Sequence, residues 1–260
     1  MTGTDVMDRE PDQLELRAGD GCYVYGVVPA DAGTVGVSGV DDARVHVLRH
    51  GPTAALVSVV RIERPPGRRH DLLAHSRVLD AFAAAGPVVP VRFGSIMVDE
   101  ESVREDLLEP RQDRFAELLA ELSGALQFNL QARYDEAAVL TEVVTGDPQI
   151  AALRERTRHL SEEESYADRV RLGELVSQQL SARRTADEQA ILDALEPYLL
   201  EYRVRPGSAI DHLADIAVLV EASRREAFET AAEALAAEMH QRARLRLVGP
   251  MAPYDFVGED

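Results

Sequence analysis

The chain has 260 residues, with 46 acidic side chains against 28 basic ones, all of them arginine because lysine is absent, and a formal net charge of −18 at pH 7. So acidic a surface repels phosphate backbones and anionic lipid, so neither nucleic acid nor membrane is expected as a partner. The single Cys22 excludes an internal disulfide framework and a thiolate metal cluster and fits a reducing cytoplasm, while no apolar run reaches the ~18 residues of a spanning helix.

Residues 1–20 are polar without a hydrophobic period and are expected to form a disordered leader, with order beginning at Gly21. Residues 22–29 are rich in β-branched and aromatic side chains and read as a strand; the Gly- and Asp-rich 30–42 reads as a loop. Further strands are expected at 43–49 and 54–62, on either side of the Gly51-Pro52 turn. Arg64-Pro65-Pro66-Gly67 breaks the chain, after which Leu72, Leu73, Val78, Leu79 and Phe82 recur at helical spacing as far as Gly86-Pro87. A short strand is expected at 88–93, confined by Pro90 to an edge or bulge, and then a helix at 100–123 that Pro110 kinks.

The pattern restarts at Gly124. From 126 to 134, Leu126, Phe128, Leu130, Ala132 and Tyr134 alternate with Gln127, Asn129, Gln131 and Arg133, the mark of a half-buried strand. Helical segments over 135–158 and a long charged helix over 161–195 come next, then strands at 198–204 and 216–220, a helix at 224–240 and a strand at 242–248. This order predicts an α+β protein of two domains, 21–124 and 125–248, each an antiparallel sheet with helices packed on one face, followed by a tail over 249–260. Two interleaved βαβ units make the second domain ferredoxin-like.

No catalytic constellation emerges, and neither a cofactor nor a metal site is expected. His70 and His75 are one helical turn apart but lack a third ligand, so they read as structural or solvated. Glu100-Glu101 and Glu162-Glu163-Glu164 sit at helix starts, where carboxylates suit the helix dipole. Gly33, Gly36 and Gly39 fit no phosphate-binding loop, and no serine stands in a nucleophile elbow. The chain is therefore read as not an enzyme, the rivals being an enzyme or a small-molecule-sensing module on the sheet of a ferredoxin-like fold.

Two segments carry more apolar residues and proline than secondary structure requires. One holds Pro90, Arg92, Phe93, Gly94 and Ser95; the other is the ending, with Pro250, Pro253, Tyr254, Phe256 and Val257. Phe93 is expected to be substantially buried and Arg92 to pair with a carboxylate or with backbone carbonyls. The tail from Gly249 to Val257 is expected to be ordered beyond the last strand, held by Tyr254, Phe256 and Val257. Arg92, Phe93, Gly94, Pro250, Pro253, Tyr254 and Phe256 are the candidate interaction residues.

At these residues the sequence resembles the gas vesicle protein F/L family. The likeness runs from YVYGVV at 23–28 through VVPVRFGSIM at 88–97 and AVLVEAS at 217–223 to LRLVGPMAPYDFV at 245–257. It implies a two-domain α+β protein that serves gas vesicles as an accessory or minor structural component, binding the very hydrophobic shell subunit and other accessory proteins and supporting nucleation and assembly. The expected location is the cytoplasm and the vesicle.

Overall fold

A computed structural model describes residue 14 and residues 16–258. Most of the expected leader lies outside the described residues. Of the rest, Leu14 is buried and its N–H donates to Glu100 Oε1 at 2.6 Å. By contacts the chain forms two compact units, one reaching Leu126 and resuming at Pro250, the other spanning Gln127–Gly249.

The first unit is built on β1 (Asp20–Pro29), β2 (His46–His50) and β3 (Thr53–Arg61), all antiparallel, followed by α1 (Arg69–Ala83). Two short strands, β4 (Val89–Pro90) and β5 (Ile96–Met97), pair with the same side of β1, giving the order β2-β3-β1-β4 with β5 beside β4 on β1. The expected strand at 88–93 is thus cut to two residues. β5, with two residues and no period to display, carries no signal of its own.

Helical structure resumes with α2 (Glu100–Ser102), continues as a π-type turn over Val103–Leu108 and a 3₁₀ turn over Glu109–Arg111, and ends in α3 (Gln112–Glu121). Pro110 explains the changes of pitch, since it has no N–H to donate and its ring obstructs the preceding turn. The widened turn is closed by the Glu109 N–H reaching back to the Arg104 carbonyl.

Packing on one face is corrected for this first sheet. Eight successive positions of β1 are buried, which requires cover on both sides. Tyr23, Tyr25 and Val28 join Ala74, Val78, Leu79 and Phe82 of α1 in one core cluster. On the other face, Val24 shares a cleft with Leu107, Phe115 and Leu118 from the second helical stretch.

The second unit contains β6 (Ala125–Tyr134), α4 (Glu136–Gly146), α5 (Pro148–Arg158), α6 (Glu162–Leu195), β7 (Leu199–Val204), β8 (His212–Glu221), α7 (Arg225–Met239) and β9 (Ala243–Met251), with strand order β7-β8-β6-β9. The alternation read in β6 holds from Phe128 to Tyr134, with Phe128, Leu130, Ala132 and Tyr134 all buried, but not at its start, where Gln127 is buried and Leu126 half-buried. The Phe128 ring packs on Phe228 of α7 at 5.1 Å between centroids. α6 starts at a capping box, in which Ser161 Oγ accepts the Glu164 N–H at 3.4 Å and Glu164 Oε2 accepts the Ser161 N–H at 3.2 Å. Val143, Ile150 and Leu175 close a smaller core among α4, α5 and α6.

β9 corrects the expected end of the last strand, because it continues through Gly249 and Pro250 to Met251. β9 is an edge strand, where the N–H that proline lacks need not be used. Gly249 is required there: at φ +148° a Cβ would lie 2.6 Å from Phe128 Cδ1 and 2.9 Å from the Gln127 carbonyl oxygen.

Candidate functional site

Asp71 starts α1 by folding back on the preceding loop. Its Oδ2 accepts the N–H groups of Arg68 at 2.8 Å and Gly67 at 3.0 Å. Burial raises the carboxyl, but these two donors outweigh burial and hold it below the usual carboxylate range. With α1 so fixed, His75 points into the core against the sheet and is 1% exposed.

Its Nδ1 lies 2.9 Å from the Tyr23 hydroxyl, and that hydroxyl also accepts the Gly94 N–H at 3.1 Å. One oxygen therefore joins β1, α1 and the loop between β4 and β5. Burial pushes Tyr23 up to about 12 and His75 down to about 4, so both are neutral near pH 7. His75 Nε2 has no hydrogen bond of ordinary geometry among the described residues, while the Val91 backbone draws the imidazole back up a little. The Phe93 ring meets His75 edge-on at 5.6 Å and Tyr23 at 6.4 Å.

Phe93 is partly buried and packs against the core cluster, while Arg92 is exposed without an ion pair among the described residues. The arginine is turned outward because the loop closes on itself: the Arg92 carbonyl accepts Ser95 N–H at 3.3 Å and Ser95 Oγ–H at 2.8 Å. Gly94 turns that loop at φ +88°, a conformation that costs side-chain-bearing residues strain.

Beside the loop lies a cleft of about 640 Å³. Val24, Val89, Val91, Ile96 and Met97 line one wall, and Leu107, Phe115 and Leu118 the other. Tyr254 and Val257 of the tail border it, and Arg92, Arg111 and Asp106 supply its charge. An apolar trough with two guanidinium groups suits a segment that is mostly apolar and carries a carboxylate.

The tail is folded onto the first unit, and two residues not expected to hold it are its most buried part. Ala252 is fully buried in the core cluster, and its N–H donates to Asp80 Oδ1 of α1 at 3.0 Å. Pro253 is buried as well, Phe256 and Val257 are half-buried, and Tyr254 is exposed on its outer side. Burial, then the nearby Asp80 charge, raises the Tyr254 hydroxyl above its ordinary value, with a Ser76 hydrogen bond opposing. Pro250 lies in β9 and takes no part in the cleft lining.

Of the sequence-selected residues, Arg92 and Tyr254 share the cleft, while Phe93 and Gly94 belong to the cluster beneath the loop. Tyr23, His75, Asp80, Arg111, Phe115 and Ala252 were not selected. Tyr23 stood in the YVYGVV segment and Ala252 in the LRLVGPMAPYDFV segment; the others have no local motif. His70 and His75 do not come together: His70 Nε2 lies 2.9 Å from Asp71 Oδ1 on the surface. Asp41, His70 and Asp71 bring one ligand atom each within 4.8 Å of one another, but Asp71 is spent on capping α1.

Comparison with known proteins agrees with this architecture. The family model described as Gas vesicle synthesis protein GvpL/GvpF matches residues 21–258. The chain is 34% identical over 239 residues to gas vesicle protein F of Streptomyces sp. (strain CB03234), covering 90% of this chain and 98% of that one. It is similar to the crystal structure of gas vesicle protein GvpF from Anabaena sp. PCC7120, with a TM-score of 0.82 and 25% identity over 93% of this chain and 99% of that one. The crystal structure of GvpF from Microcystis aeruginosa gives a TM-score of 0.77 at 26% identity, over 92% of this chain and 99% of that one.

Proposed function

The chain belongs to the GvpL/GvpF family of gas vesicle synthesis proteins, and from that premise we propose that it is a cytoplasmic accessory and minor structural protein that binds the hydrophobic shell subunit and supports vesicle nucleation and assembly. The observation that carries this reading is the cleft of the first unit. A hydrophobic subunit made in water needs its apolar segments covered until they polymerise, and the trough offers the half-buried Val91, Ile96, Met97 and Val257 over a floor of buried Val24, Phe115 and Leu118. Arg92 and Arg111 would fix the register of the segment through a carboxylate. A net charge of −18 keeps such a complex apart from its neighbours by repulsion. The role is binding rather than catalysis, since the buried polar groups His75, Tyr23 and Asp71 are engaged in holding the loops.

The test is a pull-down of the shell subunit together with light scattering of its aggregation. The wild type should retain the subunit and delay its aggregation. Arg92→Glu combined with Arg111→Glu, both at exposed positions, should lose both effects without changing the melting temperature. A wild type that neither retains the subunit nor slows its aggregation would sink the reading, and a double variant as active as the wild type would remove the cleft from it.

A further inference from the structure

β7 ends the second sheet, beyond which no strand follows in the order β7-β8-β6-β9. From Leu200 to Val204 every residue is exposed, and Leu200, Tyr202 and Val204 are 57%, 44% and 41% exposed. Tyr202 and Val204 share one face by the two-residue period of a strand and Glu201 and Arg203 share the other, while Leu200 lies where the register on β8 shifts, between Leu199 and Glu201. An unprotected edge carrying an apolar stripe is a template for another strand.

The register of β7 on β8 shows which backbone groups are on offer. Glu201, Tyr202, Arg203 and Val204 stand opposite Leu219, Val218, Ala217 and Ile216, and the Arg205 N–H donates to the Asp215 carbonyl at 2.8 Å. Because hydrogen-bonded pairs alternate along an antiparallel ladder, Glu201, Arg203 and Arg205 direct their backbone groups at β8. Tyr202 and Val204 direct theirs outward. The Tyr202 carbonyl is accordingly free of β8 and accepts from the Arg203 guanidinium at 3.2 Å.

We propose that β7 pairs antiparallel with β7 of a second copy of this chain, about a two-fold axis through Tyr202, joining two four-stranded sheets into one. The segment LEYRV at 200–204 is complementary to itself about its centre. Tyr202 falls opposite Tyr202 and Val204 opposite Leu200 of the second copy; Tyr202 and Val204 direct their backbone groups outward, and Leu200 lies at the register shift beside Glu201. On the other face Glu201 falls opposite Arg203 of the second copy, and Arg203 opposite Glu201. Those two side chains already pair along the strand, so the charges are neutralised before the copies meet and form a four-membered ladder afterwards. The register is set by coincidence of three patterns: exposed apolar residues, charge and backbone groups turned away from β8. It does not depend on what fills the cleft of the first unit.

Sedimentation velocity of the full chain over rising concentration should show a species of twice 28.5 kDa. Glu201→Arg alone and Arg203→Glu alone set like charges opposite one another, and each should weaken association roughly tenfold or more. E201R combined with R203E exchanges the charges and should restore it. Tyr202→Cys places two thiols across the axis at the spacing of a hydrogen-bonded pair, and mild oxidation should link the copies, with the buried Cys22 taking no part. Helical content and melting temperature of the exposed-site variants should match the wild type. A monomer at every concentration overturns the proposal; so does a dimer indifferent to the single charge reversals, or one that Tyr202→Cys does not cross-link.

Discussion

The Tyr23 hydroxyl and His75 Nδ1 meet at 2.9 Å inside the first unit, holding an imidazole where it is kept neutral. Burial lowers the His75 pKa from 6.5 to about 4, so the unfolded chain takes up a proton before the folded one does. Stability from this group is fully present above the unfolded value and is lost as pH falls toward about 4. At ~1.4 kcal/mol per pKa unit the loss approaches about 3 kcal/mol. Denaturant unfolding between pH ~7 and ~4 should show this fall in the wild type and a shallower one in His75→Gln, which has nothing to titrate. Parallel curves for the two proteins would remove His75 as the cause.

Phe93→Ala should cost about 1–2 kcal/mol, below the 3–5 kcal/mol of a fully buried ring, because Phe93 is half-buried and its contacts are edge-on to Tyr23 and His75. Gly94→Ala should cost about 1 kcal/mol by forcing a Cβ into φ +88°, where nothing within 4 Å would obstruct it. Equilibrium unfolding measures both. If Phe93→Ala costs more than Val78→Ala, whose side chain is fully buried in α1, the ring is a core element after all.

Ending the chain at Met251 should destabilise the first unit by about 2–3 kcal/mol, from the loss of buried Ala252 and Pro253 and of the hydrogen bond to Asp80. Ala252→Leu should be destabilising too, by about 1–3 kcal/mol, since the site is filled. Melting of the truncated and substituted proteins decides this. An unchanged melting temperature for the truncation would show that the tail only rests on the surface.

Cys22 is buried in β1, and burial together with the Glu100 and Asp99 charges raises its thiol to about 11. It should therefore react with a thiol reagent in native buffer only as fast as the unit opens, and promptly in denaturant. Fast stoichiometric labelling of the native protein would contradict this placement.

The legible parts of the fold are those whose pattern is local. The alternation over β6, the Ser161–Glu164 start of α6 and the disturbance at Pro110 all follow from neighbours within a turn or a pleat. The uninterrupted apolar run of β1 also signals cover on both faces, although packing on one face was the expectation drawn from the order of elements. What stayed hidden is set by distant partners. β5 exists because Cys22 and Tyr23 accept it as a neighbour, and β9 passes Pro250 because it is the last strand of its sheet among the described residues. His75 has the same helical setting as any solvated histidine; only the fold places it under Tyr23. Tyr254 and Phe256 looked like the tail's anchors by size, yet the small Ala252 fits the core.

The hydrogen bond from Ala252 to Asp80 spans 172 positions of sequence, and the intervening stretch holds the whole of the second unit. During synthesis the first unit must therefore wait, its strands and α1 already outside the ribosome, until the last segment of the message has been read. For that interval the place of Ala252 in the core cluster, next to Asp80 of α1, stands open to water or to a chaperone. A nascent chain stalled after β8 should then present that surface, and its first unit should be cut by protease more readily than in the finished protein.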